Sequence, residues 1–147
     1  MQRRSMEDST CPVARSLDSI GDWWTLLIVR DAMLGVRRFS DFQRSLGLAR
    51  NVLSARLKKM VADGVMTMVP AADGTSYQEY QLTEKGEELL PVLVAMRQWG
   101  ERFLFAPGEP HPELVDQDSG KALEKMRVRD ADGRERGVAD LRLVTAS

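Results

Sequence analysis

The stretch RNVLSARLKKMVADG, residues 50–64, gathers the side chains best suited to chemistry in this chain, and that chemistry is binding rather than bond-making. Between Arg37 and Lys59 stand seven basic residues (Arg37, Arg38, Arg44, Arg50, Arg56, Lys58 and Lys59) against one acid, Asp41. The segment carries +6 while the other 124 residues carry −7, so a formal net charge of −1 conceals a polarised chain. Polarised charge usually has a partner of opposite sign. Leu53, Leu57, Met60 and Val61 recur at helical spacing, which gives the stretch one face for a core. Arg50, Asn51, Ser54, Lys58 and Lys59 point elsewhere, with Arg56 at the edge of the stripe. Arg and Lys meet phosphates or guanine edges, and Asn and Ser bond to bases or backbone, so the free face is equipped for a DNA duplex. On charge alone, a solvated face with no partner is an equal alternative.

Other chemistries lack their residues. One histidine, His111, and one cysteine, Cys11, cannot make an ordinary zinc site within a chain. No Gly-rich phosphate loop or paired-carboxylate motif is present, so an enzyme is not expected, nor is a cofactor or metal. A single cysteine also excludes an internal disulfide framework and fits a reducing compartment. No apolar run approaches the ~20 residues of a bilayer span. The polar start MQRRSMEDST has no apolar signal core, so a soluble, cytoplasmic chain without a membrane partner is expected.

The elements that must position the basic stretch can be read outward from it. Residues 1–10 lack periodicity and read as a flexible arm. In CPVARSLDSIG, Pro12 suits the first turn of a helix closed by Gly21. DWWTLLIVRDAML follows, with Asp22 as cap and Trp24, Leu27, Ile28 and Ala32 at helical spacing, a central core helix. RRFSDFQRSLG is a third short helix with Ser40 as N-cap, Phe42 and Leu46 inward, and Gly47 as terminator. After the basic helix, VMTMVPAADGTSYQEYQLT alternates on both sides of the hairpin signal Asp73-Gly74. Residues 37–39, RRF, are a candidate third strand for a small sheet. Three helices and then a hairpin directly after the basic one is the order of a winged helix-turn-helix, which puts the basic helix in the major groove and the hairpin beside the backbone. The fold class is therefore mainly α with a small β-sheet. The wing, residues 71–77, has no Lys or Arg, and Ser76 and Tyr77 are its candidate DNA contacts. Arg38 and Ser40, at the start of the third helix, complete the candidate DNA-binding set.

LTEKGEELLPVLVAMRQWGERFLF begins at Thr83, a good N-cap, with Glu84, Glu87 and Glu88 favourably placed in the early turns. Pro91 is expected to kink this long helix. Leu89, Val92, Leu93, Met96, Trp99 and Phe103 give it more apolar surface than a lone terminal helix needs, so a dimer face is expected beside the alternative of packing on its own domain. The helix beginning at Pro12 is its expected partner. Residues 11–105 thus form one DNA-binding and dimerisation domain, 106–112 a Pro- and acid-rich linker, and 113–147 a short β-rich extension with Asp132-Gly133 as a second hairpin turn. Its thin core must lean on the main domain or on a second chain.

The run CPVARSLDSIGDWWTLLIVRDAMLGVRRFSDFQRSLGLARNVLSARLKKMVADGVM, followed by YQEYQLTEKGEELLPVLVAMRQWG, resembles the HxlR family of bacterial transcriptional regulators, a winged-helix group related to the MarR type. The combination of Cys-Pro, Trp-Thr, RFSDFQ, RLKKM and YQLTEKG carries the resemblance over about two-thirds of the chain. It implies a homodimer that binds double-stranded operator DNA, with residues 50–62 as recognition helix and 71–77 as wing. It also makes Cys11 a candidate thiol sensor whose partner is a small electrophile, an oxidant or a small thiol. From the residues themselves, a thiol at a helix N-terminus four residues before Arg15 sits in positive potential, the setting in which cysteines become reactive; the alternative is a small residue that merely starts a helix. Some relatives carry a His–Cys pair after the last helix, where this chain reads LVDQDSG with Gln117 and Ser119, so that segment is not expected to hold a ligand. The competing function is a winged-helix protein–protein module whose basic helix docks on an acidic partner. Steep salt dependence and competition by duplex separate the two.

Overall fold

The computed structural model describes residues 5–145. Of the arm expected over residues 1–10, positions 1–4 lie outside the described residues. In the rest, the Ser9 N–H donates to the Met6 carbonyl at 3.0 Å, and the Met6 N–H donates to Asp18 at 2.9 Å. Two compact units divide the chain between Leu93 and Val94.

The first unit holds helices α1 (Pro12–Ile20), α2 (Thr25–Met33), α3 (Phe39–Leu46) and α4 (Arg50–Ala62), strands β1 (Met66–Pro70) and β2 (Gln78–Leu82), and the single turn α5 (Glu84–Glu87). Helix α6 (Leu90–Phe103) runs across the boundary. This is the mainly α fold with a small sheet that the sequence predicts. Its core is built on α2, whose Ile28, Val29 and Ala32 are buried with Phe42 of α3, Leu53, Leu57 and Met60 of α4, and Val65 and Met66. Each such Leu, Ile or Phe contributes about 1.5–3 kcal/mol when fully buried. Between α3 and α4 the chain turns at Gly47, where φ is 65°, a left-handed value that a side chain would oppose. The Gly47 N–H closes α3 on the Gln43 carbonyl, and buried Leu48 pins the turn to the core.

The strands pair antiparallel from Met66 opposite Leu82 to Pro70 opposite Gln78. The third strand expected at 37–39 is absent: Phe39 already belongs to α3, and what remains is one hydrogen bond, 2.8 Å, from the Tyr80 N–H to the Arg37 carbonyl. For the same reason the N-cap of α3 is Arg38, and Ser40 lies inside its first turn. Thr83 caps α5 as expected, accepting from the Gly86 N–H at 3.2 Å and donating to the Gly64 carbonyl at 2.5 Å. The long helix expected from Thr83 is interrupted rather than kinked. α5 stops at Glu87 and α6 restarts at Leu90, which leaves Pro91 in a first turn, where its missing N–H has no helical acceptor to lose.

The second unit, residues 94–147, contains most of α6 and the extension. The Gln98 amide ties the two together, donating to the Glu124 carbonyl at 3.0 Å and accepting from the Met126 N–H at 2.7 Å. The extension turns at Asp130–Arg134, with Gly133 at φ 84°. Continuous strands are absent among the described residues there, and the bridges Val115–Ala122 and Arg129–Glu135 stand alone. Among the described residues of this unit Val94 is the buried apolar side chain, while Met96, Trp99 and Phe103 are 54%, 58% and 60% exposed.

Candidate nucleic-acid interface

Helix α4 owes its position to Leu53, Leu57 and Met60, which are fixed in the core and leave Arg50, Asn51, Val52, Ser54, Ala55 and Lys58 exposed. Its first turn follows directly from the Gly47 turn, so Arg50 and Asn51 stand at the free end of the helix. The Arg50 guanidinium lies over the Phe39 ring at 5.3 Å from the centroid, which braces it without neutralising it. Lys58 has no ion pair among the described residues. Val52, absent from the sequence-based set, adds an apolar group of the kind that meets a thymine methyl.

The remaining cations are committed within the fold. Arg56 reaches Asp22 at 3.1 Å, and Lys59 reaches Asp63 at 2.7 Å. Arg38 pairs with Asp73 of the wing, and Arg44 with Asp41 at 3.3 Å. Arg37 donates to the carbonyls of Ala32 and Val36 at 2.6 and 3.0 Å. Three acids from outside the basic segment thus meet three of its six excess charges.

Two of these acids are junctions. Asp22 accepts from the Trp24 and Thr25 N–H groups, both at 2.9 Å, and from the Thr25 hydroxyl, so Arg56 clamps α4 to the start of α2. Burial pulls the Asp22 carboxyl upward, but the Thr25 and Trp24 hydrogen bonds and the Arg56 charge together outweigh it and leave the group below its ordinary range. Asp63 accepts from Lys59 and from the Ser19 hydroxyl at 2.9 Å, which joins the end of α4 to the end of α1. Burial raises it too, and the bonds from Lys59 and Ser19 with the charges of Lys59 and Lys85 bring it down. Of the sequence-based DNA set, Arg56 therefore also holds α4 in place, and Lys59 braces the end of its own helix through Asp63.

The wing, between β1 and β2, exposes Ser76 and Tyr77 as expected. The Arg38 guanidinium stands 5.4 Å from the centre of the Tyr77 ring. The Thr75 N–H and then its hydroxyl, followed by Arg38, hold Asp73 down at about 2. Sequence reasoning took Asp73 only as a turn residue and passed over Asp22 and Asp63 as counter-ions. The pairings span 34 residues from Asp22 to Arg56 and 35 from Arg38 to Asp73, distances at which no local pattern signals them.

Helix α1 has no buried residue, and its Val13 and Leu17 are exposed. Cys11, its N-cap, is exposed, and the Arg15 side chain donates to the Ser9 carbonyl at 2.5 Å. In the expected dimer face the roles divide: Leu89, in the break before α6, and Leu93 of α6 pack against the core of the first unit, whereas Val92, Met96, Trp99 and Phe103 are exposed. Among the described residues no helix is long and apolar enough to cross a membrane.

Residues 19–107 match the HxlR-like helix-turn-helix family profile, a range that excludes Cys11 and the whole extension. The chain is 40% identical over 116 residues, 79% of its own length and 73% of the relative's, to the uncharacterized HTH-type transcriptional regulator Rv3095 of Mycobacterium tuberculosis. The crystal structure of PA1607, a proposed transcription factor, is 52% identical and covers 97% of this chain and all of its own, with a TM-score of 0.92. The redox regulator HypR in its reduced form is 31% identical and covers 63% of this chain and 92% of its own, with a TM-score of 0.57.

Proposed function

The chain belongs to the HxlR-like helix-turn-helix family of transcriptional regulators, and on that premise we propose that it binds double-stranded operator DNA as a homodimer, with α4 in the major groove and the wing at residues 71–77 beside the backbone. The family is one of regulators, not enzymes. The observation that carries the proposal is the exposed row Arg50, Asn51, Ser54 and Lys58 on a helix whose opposite face is locked in the core. Arg50 and Asn51 read base edges, Lys58 meets phosphate, and Ser40, Ser54, Ser76 and Tyr77 supply hydrogen bonds to the backbone. Arg56 and Lys59 contribute chiefly by fixing the helix, and Arg38 acts at the wing. Duplex DNA as partner places the work in the cytoplasm.

Two elements support the homodimer. Helix α1 contributes nothing to the core, and α6 leaves Val92, Met96, Trp99 and Phe103 uncovered. A two-fold dimer would set its recognition helices on half-sites about 34 Å apart or a multiple of that. The test is selection of bound fragments from sheared genomic DNA by the purified protein. The expected product is a palindromic site with that spacing; recovery of fragments in the proportions of the input would refute operator recognition.

Cys11 is the proposed input. Exposure and a place at the start of α1 support it, together with the likeness to HypR, whose reduced and oxidised forms are both solved. As the chain's single thiol it has no resolving cysteine of its own, so the expected chemistry is an adduct or a mixed disulfide with a small thiol. Treatment with a thiol-reactive electrophile is expected to lower duplex affinity in the wild type and leave Cys11→Ser unchanged. Equal losses in both proteins would return Cys11 to the role of a helix start.

A further inference from the structure

The wing sequence AADGTSY contains no cation, yet a guanidinium stands on it. Arg38, the N-cap of α3, pairs with Asp73 and lies over the ring of Tyr77, so two wing residues hold a side chain that belongs to another element. This pair differs from the others of the basic segment. Asp22 and Asp63 are part of networks that join helices, with bonds from Thr25, Trp24 and Ser19. Asp73 is otherwise bonded within its own turn, through the Thr75 N–H at 3.0 Å. The Arg38 and Asp73 side chains are 33% and 50% exposed, so water and a phosphate can both reach the pair. Exposed pairs are weakly held, and a guanidinium accepts a phosphate in the same forked geometry as a carboxylate.

We propose that Arg38 is the wing's borrowed cation and that Asp73 is its removable counter-ion: on contact with a duplex, a backbone phosphate takes the place of the Asp73 carboxylate while Tyr77 keeps the guanidinium oriented. The proposal rests on the operator-binding function above. Its consequence is selectivity. The released carboxylate faces the DNA backbone, so each encounter loses part of the phosphate contact it gains, on every sequence alike. Base contacts from α4 then decide which sites are held, because the electrostatic contribution by itself is too small to hold random DNA. Asp73 is in this sense a specificity determinant that touches no base.

The experiment is a double-mutant cycle on the full chain, with Asp73→Asn, Arg38→Gln and the double variant titrated against a labelled random-sequence duplex over a range of salt. Asp73→Asn is expected to tighten binding about tenfold when Arg38 is present and to change it less than about twofold when it is not. Arg38→Gln is expected to flatten the salt dependence by about one phosphate contact. An equal gain in both backgrounds means that Asp73 merely repels DNA, and no gain in either means that the pair persists in the complex; each overturns the exchange. Where Asn disturbs the turn, Asp73→Ser retains a turn-forming hydroxyl and must give the same pattern. A wild type that binds neither this duplex at low salt nor a selected operator defeats the regulator function itself, whereas a wild type that binds with no coupling between positions 38 and 73 defeats only the exchange.

Discussion

Arg50 and Lys58 are both exposed cations on α4, but the proposed docking asks different things of them. Arg50 and Asn51 stand at the free end of the helix, so Arg50→Ala or Asn51→Ala is expected to cost about 1–3 kcal/mol on the selected operator and little on random DNA. Lys58→Ala is expected to weaken all sequences alike and to reduce the salt slope by about one contact. Titrations of both probes at several salt concentrations check this. Unchanged binding in all three variants would take α4 out of the groove. Arg56→Ala belongs to a different class, since it strips Asp22 of its charged partner. It is expected to lower stability by about 1 kcal/mol, read as a lower melting temperature without DNA. Asp22 and Asp63 titrate below the ordinary 3.8 in the folded chain. A lowered folded value means that their contribution is complete above the unfolded pKa and is lost as pH falls through the folded one. Melting temperature is therefore expected to hold from neutrality down to about pH 4 and to fall below it. The fall should be shallower once Asp22 and Asp63 are both replaced by Asn. The cations were legible in the sequence because they cluster. Two of their partners were not, because Asp22 and Asp73 lie far from the cluster in sequence and meet it only through the packing of α2 and the wing against α3 and α4, whereas Asp63 stands four residues after Lys59, a helical spacing that the sequence does show.

Among the elements, the helices of the first unit follow largely from local signals: Pro12 and Gly21 bracket α1 and Gly47 ends α3, while the N-cap of α2 is Trp24, two residues after the expected Asp22, which accepts from the Trp24 and Thr25 N–H groups. The departures have local causes that spacing alone does not weigh. A segment of three residues cannot be both a strand and the entry to α3, and helix nucleation at Phe39 leaves only the Arg37 carbonyl for Tyr80. Pro91 is tolerated once the helix restarts just before it, so the break moves to Glu88 and Leu89. The joint between the sheet and α5 is the tightest of these places. A Cβ added at Gly86 would lie 2.2 Å from the Val65 carbonyl oxygen and 3.0 Å from the Leu82 side chain. Backbone cannot yield as a side chain does, so Gly86→Ala is expected to destabilise the fold by about 1–3 kcal/mol. Thermal unfolding of the two proteins measures it, and an unchanged midpoint would mean that the joint is looser than its geometry.

For the whole molecule, a charge at Met96 tests whether the exposed side of α6 joins two copies. Met96→Glu is expected to give monomers in light scattering and to weaken operator binding severely, since one subunit meets one half-site. An unaltered dimer would remove this side of α6 from the interface. The apolar surplus of α6 was legible as periodicity. The division of that stripe into core-facing Leu93, with Leu89 just before the helix, and uncovered Val92, Met96, Trp99 and Phe103 needed the fold.

The unburied α1 has a consequence of its own. A nine-residue helix in water is too short to persist by backbone hydrogen bonding alone. With no residue of α1 in the core, its anchors within one subunit include two at its last turn, Met6 to Asp18 and Ser19 to Asp63. Amide protons of α1 should therefore exchange with deuterium by local fraying in a dilute sample and slow down as concentration rises. Those of α2, enclosed by the core, should exchange at one rate throughout. The helix that begins at Cys11 would then be a concentration gauge, firm when subunits are plentiful and loose when they are scarce.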